Sequence, residues 1–376
     1  MKTPSTTQSP LISIITLSYN YARFLPHTIE AILSQDYKNI QHIIIDDAST
    51  DDSVAVARAY AQKDKRIEVI TSEKNRGACA AYAEAYKHIN GDFVCSIDAD
   101  DVPHPTKFRK QLAFFSANPD YDLVSTFIDV IDGQGKFVTS PNLQEEWVNK
   151  ERDLNDLSNW ISGNYIAHSA VMMRREAHDK VGVLDPNMVY APDYEHFTRF
   201  VVGGHKIATL PERLMSYRVH GSNITHKNPQ ATFIEFIYIF WKWIAPVLIQ
   251  QRKFPDLAGR LSQIVAHDQY AEMSFQNRMR LLSSITQSPS KIQNFLDFSN
   301  SIANADPHPG SVLEAALSHS PANLELRSML RTTSRMSSTI NRLAAQIEAN
   351  KPNHHALAEH SQRGKLTSWL RQFTSK

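Results

Sequence analysis

The stretch "DFVCSIDADDVPHP", Asp92 to Pro105, puts three carboxylates at the end of an apolar run: Asp98, Asp100 and Asp101 follow Phe93 to Ile97. Like charges at that spacing resist ionising together. The cluster therefore implies either a positive partner or an ordinary solvated acidic turn. A hard divalent cation, Mg2+ or Mn2+, is a partner that takes carboxylate oxygens. Side chains on a strand alternate with a period of two. That sets Asp98 and Asp100 toward one site and Asp101 away from it or into the loop, the most expendable of the three. A second acidic pair, Asp193 and Glu195, lies in "YAPDYEHF" and is a further candidate for chemistry. Pro192 suits the first turn of a helix, so Asp193 could equally serve as a helix N-terminal acid. Tyr19 and the pair Asp46-Asp47 end two other apolar runs. An aromatic ring there can stack on a nucleobase, worth ~1–3 kcal/mol, or sit half-buried as plain packing. One aspartate can bind while the other caps the next helix with Ser49, Thr50 or Asp51. "YRVHGSN" adds Arg218 and His220; the histidine could ligate a metal through a ring nitrogen or simply hold the loop.

These tips need a scaffold, and the first hundred residues alternate between two periods. "LISIITLS", "QHIIIDD", "RIEVIT" and "DFVCSID" read as strands, separated by the amphipathic segments "FLPHTIEAILSQDY", "STDDSVAVARAYAQ" and "GACAAYAEAYKHING", the last closed by Asn90-Gly91 as a C-cap signal. Strand and helix in alternation imply parallel βαβ units and a doubly wound sheet, whose ligands bind beyond the carboxyl ends of the strands. Further on, "YDLVSTFIDVIDGQGKFVT" predicts strand, turn and strand, "HSAVMMRREAHDKVG" a strand entering a helix, "DYEHFTRFVVGG" a helix, and "HKIATLPERLMSYRVHG" a strand pair or one strand with a long lead-in. "MMRR" with Lys180 and Arg199 reads as exposed helix faces rather than an anion site. From Pro229 the pattern is helical.

Lysine plus arginine number 40 against 39 acids, a formal net charge of +1, which argues against binding nucleic acid by bulk charge. Cys79 and Cys95 make no disulfide framework and read as small buried hydrophobes. "MKTPSTTQSP" lacks the apolar core of a signal peptide and is expected to be a disordered lead-in. A spanning helix wants ~20 predominantly apolar residues. The nearest run, Phe233 to Ile249, is interrupted by Glu235, Lys242 and Pro246, so a buried or interfacial helix is expected instead.

The motifs "SIITLSYNYARFLPHTIEAILSQDY", "IIIDDASTDDS", "NRGACAAYAEAY", "IDADD" and "APDYEHFTRFV" come in the order and spacing of the family 2 glycosyltransferases, and over residues 11–225 the chain resembles that family. The resemblance implies an α/β GT-A (Rossmann-like) nucleotide-diphosphosugar transferase domain with a helical extension over 226–376. It implies transfer of a sugar, with inversion, from a nucleotide diphosphosugar, UDP-linked by expectation, to an acceptor hydroxyl, in glycan or surface polysaccharide synthesis. By the same resemblance Tyr19 and Asp47 hold the base, Asp47 accepting a uracil imino N–H. Arg76 lies near base and phosphates, or is simply a solvated surface arginine, and Asp98 lies near ribose or metal. Asp100 is the direct ligand of Mn2+ or Mg2+, and Arg218 and His220 reach the diphosphate or the metal. Asn164 and His168 fall in the stretch that borders the acceptor cleft, where either could equally hold a turn together. Asp193 is the general base, with Glu195 as its back-up. Pro192 stands where the family usually has a glutamate, which encourages the alternative of an inactive relative that only binds sugar nucleotide. The expected partners are the donor and a glycan or lipid-linked acceptor, with no nucleic acid. The expected location is the cytoplasm or the inner face of the membrane, and the helical extension is expected to pack, to touch a membrane surface or to pair with a second copy.

Overall fold

The structure is a computed structural model and describes residues 9–138, 145–221, 228–251 and part of 253–277. Residues 1–8 of the lead-in, Ser222 and Asn223 of "YRVHGSN", and the expected helices beyond 277 lie outside the described residues. Strands β1 (Ile12–Ser18), β2 (Ile40–Asp46), β3 (Ile67–Thr71) and β4 (Phe93–Ser96) alternate with helices α1 (Leu25–Leu33), α2 (Ser53–Ala61) and α3 (Ala78–Tyr86). The four strands are parallel and lie in the order β3-β2-β1-β4. Buried on both faces, such strands read as unbroken β-branched runs, as "ISIITLS" does. Their side chains divide between the faces: Ile43 and Ile45 pack with Cys79, Ala81 and Tyr82 of α3, while Ile44 packs with Leu25 and Ile29 of α1 and Ala57 of α2. Helices on both faces make the expected doubly wound sheet.

The rest of the sheet is mixed. After the two-residue β5 (Val102–Pro103) and α4 (Lys107–Ala117) come β6 (Leu123–Ile131), α5 (Glu145–Val148), β7 (Met172–Arg174), α6 (Arg175–Val181), α7 (Pro192–Val202) and β8 (Ile207–Arg218). The full order is β3-β2-β1-β4-β7-β6-β8-β5, with β7 antiparallel to β4 and β6, and β5 antiparallel to β8. The expected second strand after β6 is reduced to one bridge, Ile131 to Phe137. "HKIATLPERLMSYR" is one long strand, parallel to β6 and bulged near Phe127; bulges re-aim a strand where it must bend.

Two expectations need correction. Gly91 does not cap α3, which ends four residues earlier at Lys87. A Cβ at Gly91 would lie 2.6 Å from the Ser13 nitrogen and 2.8 Å from the Leu11 and Phe93 carbonyl oxygens, so the glycine lets β1 and β4 approach. The second concerns the C-terminal apolar run. Helix α8 (Pro229–Ile239), a π-helical turn at Phe240–Ile244 and α9 (Ala245–Gln250) follow without a break. Pro229–Leu248 is a helix of 20 residues in which an 18-residue window reaches a mean hydropathy of 1.4, long and apolar enough by length and composition to cross a bilayer. The expectation that no run reaches that length and composition fails because Glu235 and Lys242 are too few to break it, and the π turn carries the helix past Pro246. The helix nonetheless packs on the α/β domain: Phe233, Ile234, Ile237 and Phe240 share a core cluster with Trp160, Tyr194 and Phe197.

Candidate active site

The loops after β1 and β2 are tied to each other. Asn20 Oδ1 accepts the Thr50 N–H at 2.8 Å, and the Asn20 N–H donates to Ser49 Oγ at 2.8 Å. Asn20 (φ 61°) and Ala48 (φ 66°) are the two non-glycine residues at positive φ among the described residues. Such backbone persists only where the surroundings enforce it, and it collects at functional sites. The tie leaves Tyr19 at the β1 tip 44% exposed, open to a flat ligand. The two aspartates at the β2 tip divide the work. Asp46 accepts from Ser18 Oγ and from the Ser49 N–H and Oγ, so it holds the loop. Asp47 turns toward the start of α3, where its carboxylate accepts the Arg76 N–H at 3.0 Å and the Gly77 N–H at 2.8 Å. The Arg76 guanidinium stays at the surface, with Nη2 3.4 Å from Ser72 Oγ.

The third tip departs from the expectation. Strand β4 ends at Ser96, and Ala99-Asp100 form a turn, so strand alternation does not govern the aspartates. Thr28 Oγ1 of α1 donates to the carbonyls of Ala99 and Asp101 at 3.0 and 2.8 Å and sets that turn. Asp98 is the open one: its side chain is 40% exposed, 3.4 Å from His168 Nδ1. Asp100 is buried, with Oδ2 2.8 Å from His220 Nε2. The His220 ring stacks on Phe24 at 4.8 Å and meets the edge of Tyr21. Asp101, expected to be expendable, is the most enclosed of the three. It is 1% exposed, its Oδ1 accepts the Arg218 N–H at 2.9 Å, and its Oδ2 is buried without a hydrogen bond.

Arg218 is likewise corrected. Its Nε donates to the Asp100 carbonyl at 2.7 Å and its Nη1 to the Asp132 carbonyl at 3.0 Å, with the guanidinium over Phe24. It is a buried brace for the acidic turn rather than an arm reaching a phosphate. Glu195 also leaves the site. It is fully buried, paired with Arg199 Nε at 2.9 Å and accepting from Trp243 Nε1 at 2.8 Å, so it faces the C-terminal helix and cannot serve as a back-up base. Arg199 and Arg174 spend their guanidinium groups on backbone carbonyls, so neither joins a basic face.

Asp193 does join the cluster. Pro192 occupies the first turn of α7, and Asp193 follows with Oδ1 on the Tyr194 N–H and Oδ2 on Asn164 Nδ2, both at 2.8 Å. His168 links the two acidic centres. It begins a short 3-10 turn whose Ser169 Oγ accepts the Asp98 N–H at 3.0 Å. Burial pushes Asp193 above the usual carboxylate range, and the His168 charge only partly offsets it. At Asp98, open to solvent on one side, the enclosing protein atoms still push upward, but the hydrogen bond and charge of His168 outweigh them and hold the carboxyl low. Asp98 in turn raises His168 against its burial. One carboxylate held ionised and another primed to take a proton is the separation expected of distinct chemical roles.

A carboxylate oxygen beside an imidazole nitrogen, as in Asp100 and His220, is a donor pair that fits a divalent cation. No group of three His, Cys, Asp or Glu side chains among the described residues could hold one, so the described residues offer two donors here and ligand oxygens would complete the shell. Sequence reasoning passed over Tyr21, Phe24, Ser169 and Glu235. Tyr21 and Phe24 were legible as a second aromatic pair in "SYNYARF", and Glu235 as a lone acid in an apolar helix.

A family model described as "Glycosyl transferase family 2" matches residues 13–182. An uncharacterized glycosyltransferase of Methanocaldococcus jannaschii is 26% identical over 213 residues, which are 56% of this chain and 71% of that one. The putative teichuronic acid biosynthesis glycosyltransferase TuaG of Bacillus subtilis is 37% identical over 109 residues, 29% of this chain and 43% of its own length. Among solved structures, residues 1-349 of S. aureus TarS in complex with UDP-GlcNAc superpose with a TM-score of 0.57 at 16% identity, covering 77% of this chain and 87% of that one; the likeness is one of fold, the GT-A fold. Over residues 13–182, a little under half of its length, the chain is similar to the family 2 glycosyltransferases.

Proposed function

We propose that the chain transfers a sugar, with inversion, from a UDP-linked donor to an acceptor hydroxyl of a glycan or lipid-linked glycan in polysaccharide synthesis. The observation that carries this reading is the placement of Asp193 beside His168 and Asn164, next to the acidic turn at the sheet's carboxyl edge. Tyr19, exposed at the β1 tip, stacks on the base, and Asp47, fixed by the Arg76 and Gly77 N–H groups, accepts the uracil imino N–H. The exposed Arg76 guanidinium lies along the phosphates, and Asp98 faces the ribose. Asp100 and His220 hold Mn2+ or Mg2+, which supplies positive charge to the departing diphosphate when bound.

Asp193 takes the proton from the acceptor hydroxyl as that oxygen attacks the anomeric carbon from the face opposite the diphosphate. The bond to the acceptor forms as the bond to the diphosphate breaks, so an α-linked donor gives a β-glycoside without a covalent enzyme intermediate. Asn164 keeps the Asp193 carboxylate oriented. Binding of UDP-GlcNAc by a fold neighbour and the teichuronic acid assignment of TuaG support the donor and acceptor classes. Pro192 does not favour the binding-only alternative, because it starts α7 without displacing Asp193. Asp193→Asn should keep the thermal shift given by UDP-sugars with Mn2+ and lose transfer by about 100-fold or more. Transfer at the wild-type rate in that variant removes Asp193 as the base.

A further inference from the structure

We propose that Glu235 is a positioning residue that holds Asp193 in place from the C-terminal helix. The inference rests on the reading of Asp193 as general base. Glu235 is 1% exposed in an apolar helix. Burying a carboxyl there is unfavourable, and three consecutive backbone donors offset part of that cost. Glu235 Oε1 accepts the Val189 N–H at 3.0 Å, and Oε2 accepts those of Tyr190 and Ala191 at 2.9 and 2.8 Å.

Those groups belong to the segment that delivers Asp193. Ala191 is the N-cap of α7 and offers no side-chain cap, and Pro192 has no N–H. The Ala191 N–H therefore has no local cap, and Glu235, contributed by another helix, accepts it together with the two N–H groups before it. The same helix grips the segment at two more points. Lys242 Nζ pairs with Asp185 Oδ2 at 3.0 Å, before the loop, and Trp243 Nε1 donates to Glu195 Oε1 at 2.8 Å, after Asp193. The family match stops at residue 182, so both the base and its support lie beyond it. A carboxylate that must meet an acceptor hydroxyl depends on backbone held this way, because a displacement of about 1 Å can lower the rate by ~100-fold.

The test uses the full chain at about pH 8, where Glu235 is ionised. Glu235→Gln keeps the shape and loses the charge. Its kcat should fall by about 100-fold, while KM for the donor and the thermal shift with UDP and Mn2+ stay at wild-type values. Amide exchange at residues 189–191 should quicken by roughly tenfold or more, with exchange elsewhere in the sheet unchanged. In an Asp193→Asn background, Glu235→Gln should cause no further loss of transfer. If Glu235→Gln does not fold, Glu235→Asp, which keeps the charge on a shorter stem, takes its place with the same readouts. A kcat within about twofold of wild type, unchanged exchange at 189–191, or additive losses each overturn the proposal. Should Asp193→Asn itself transfer normally, the base assignment falls, and the exchange rates still decide whether Glu235 holds the segment.

Discussion

The three aspartates of the acidic turn are chemically unlike, and the difference comes from what each faces. Asp98 faces solvent and His168, Asp100 faces His220, and Asp101 faces backbone. Burial, with the charges of Asp100 and Asp98, pushes Asp101 well above the usual carboxylate range. It therefore keeps its proton where a solvated aspartate has lost it, and an amide can imitate it. Asp101→Asn leaves an acceptor for the Arg218 N–H and should change stability by less than about 1 kcal/mol, whereas Asp101→Ala leaves that buried N–H unsatisfied and should cost about 2 kcal/mol. Urea unfolding of both variants checks the order; equal losses would mean that the Arg218 bond carries no weight. Sequence alone ranked this residue last, because alternation was carried past the point where the strand stops. Periodicity reports direction only inside an element, and the turn at Ala99-Asp100 is set by Thr28 from α1, 71 residues away in sequence.

At the scale of elements the reading from sequence was strongest where strands are buried on both faces. "LISIITLS", "QHIIIDD" and "RIEVIT" stand as β1, β2 and β3 within a residue or two, since apolar β-branched runs bounded by turn residues leave little alternative. The mixed half of the sheet was less legible. A two-residue strand such as β5 has no period, and it exists only because β8 runs beside it. Gly91 marks the same limit. Its composition cue, Asn-Gly after a helix, suggested a cap, while its actual task depends on two strands that meet only in the fold. Gly91→Ala should therefore act on the β1–β4 contact. With backbone atoms of Leu11, Ser13 and Phe93 within 3 Å of the added Cβ, no side chain can yield, and the loss should reach about 3 kcal/mol. A cap glycine at positive φ would instead cost about 1 kcal/mol on substitution, so the size of the change in urea unfolding separates the two roles.

For the whole molecule, pH sets buried acids against buried histidines. Burial lowers His42 and His178 to about 3 and His196 well below 6.5; each contributes stability that is lost as pH falls through the ordinary histidine value of 6.5. Burial raises Asp100, Asp101, Asp193, Glu195 and Glu235, and each contributes stability that is lost as pH rises. The two sets oppose, so a single stability profile does not isolate either. Glu235 can be isolated by difference, because glutamine does not titrate. Its carboxyl rises from 4.5 to about 7, since loss of water outweighs the three N–H donors and the nearby Asp193 charge adds to the rise. Its contribution is complete below 4.5 and gone once pH has risen through about 7. The unfolding free energy of the wild type minus that of Glu235→Gln should fall between about pH 5 and pH 8, by on the order of 3 kcal/mol. Urea unfolding at several pH values measures this directly. A difference that grows with pH would mean that the Val189, Tyr190 and Ala191 N–H groups outweigh desolvation and keep the carboxylate charged throughout.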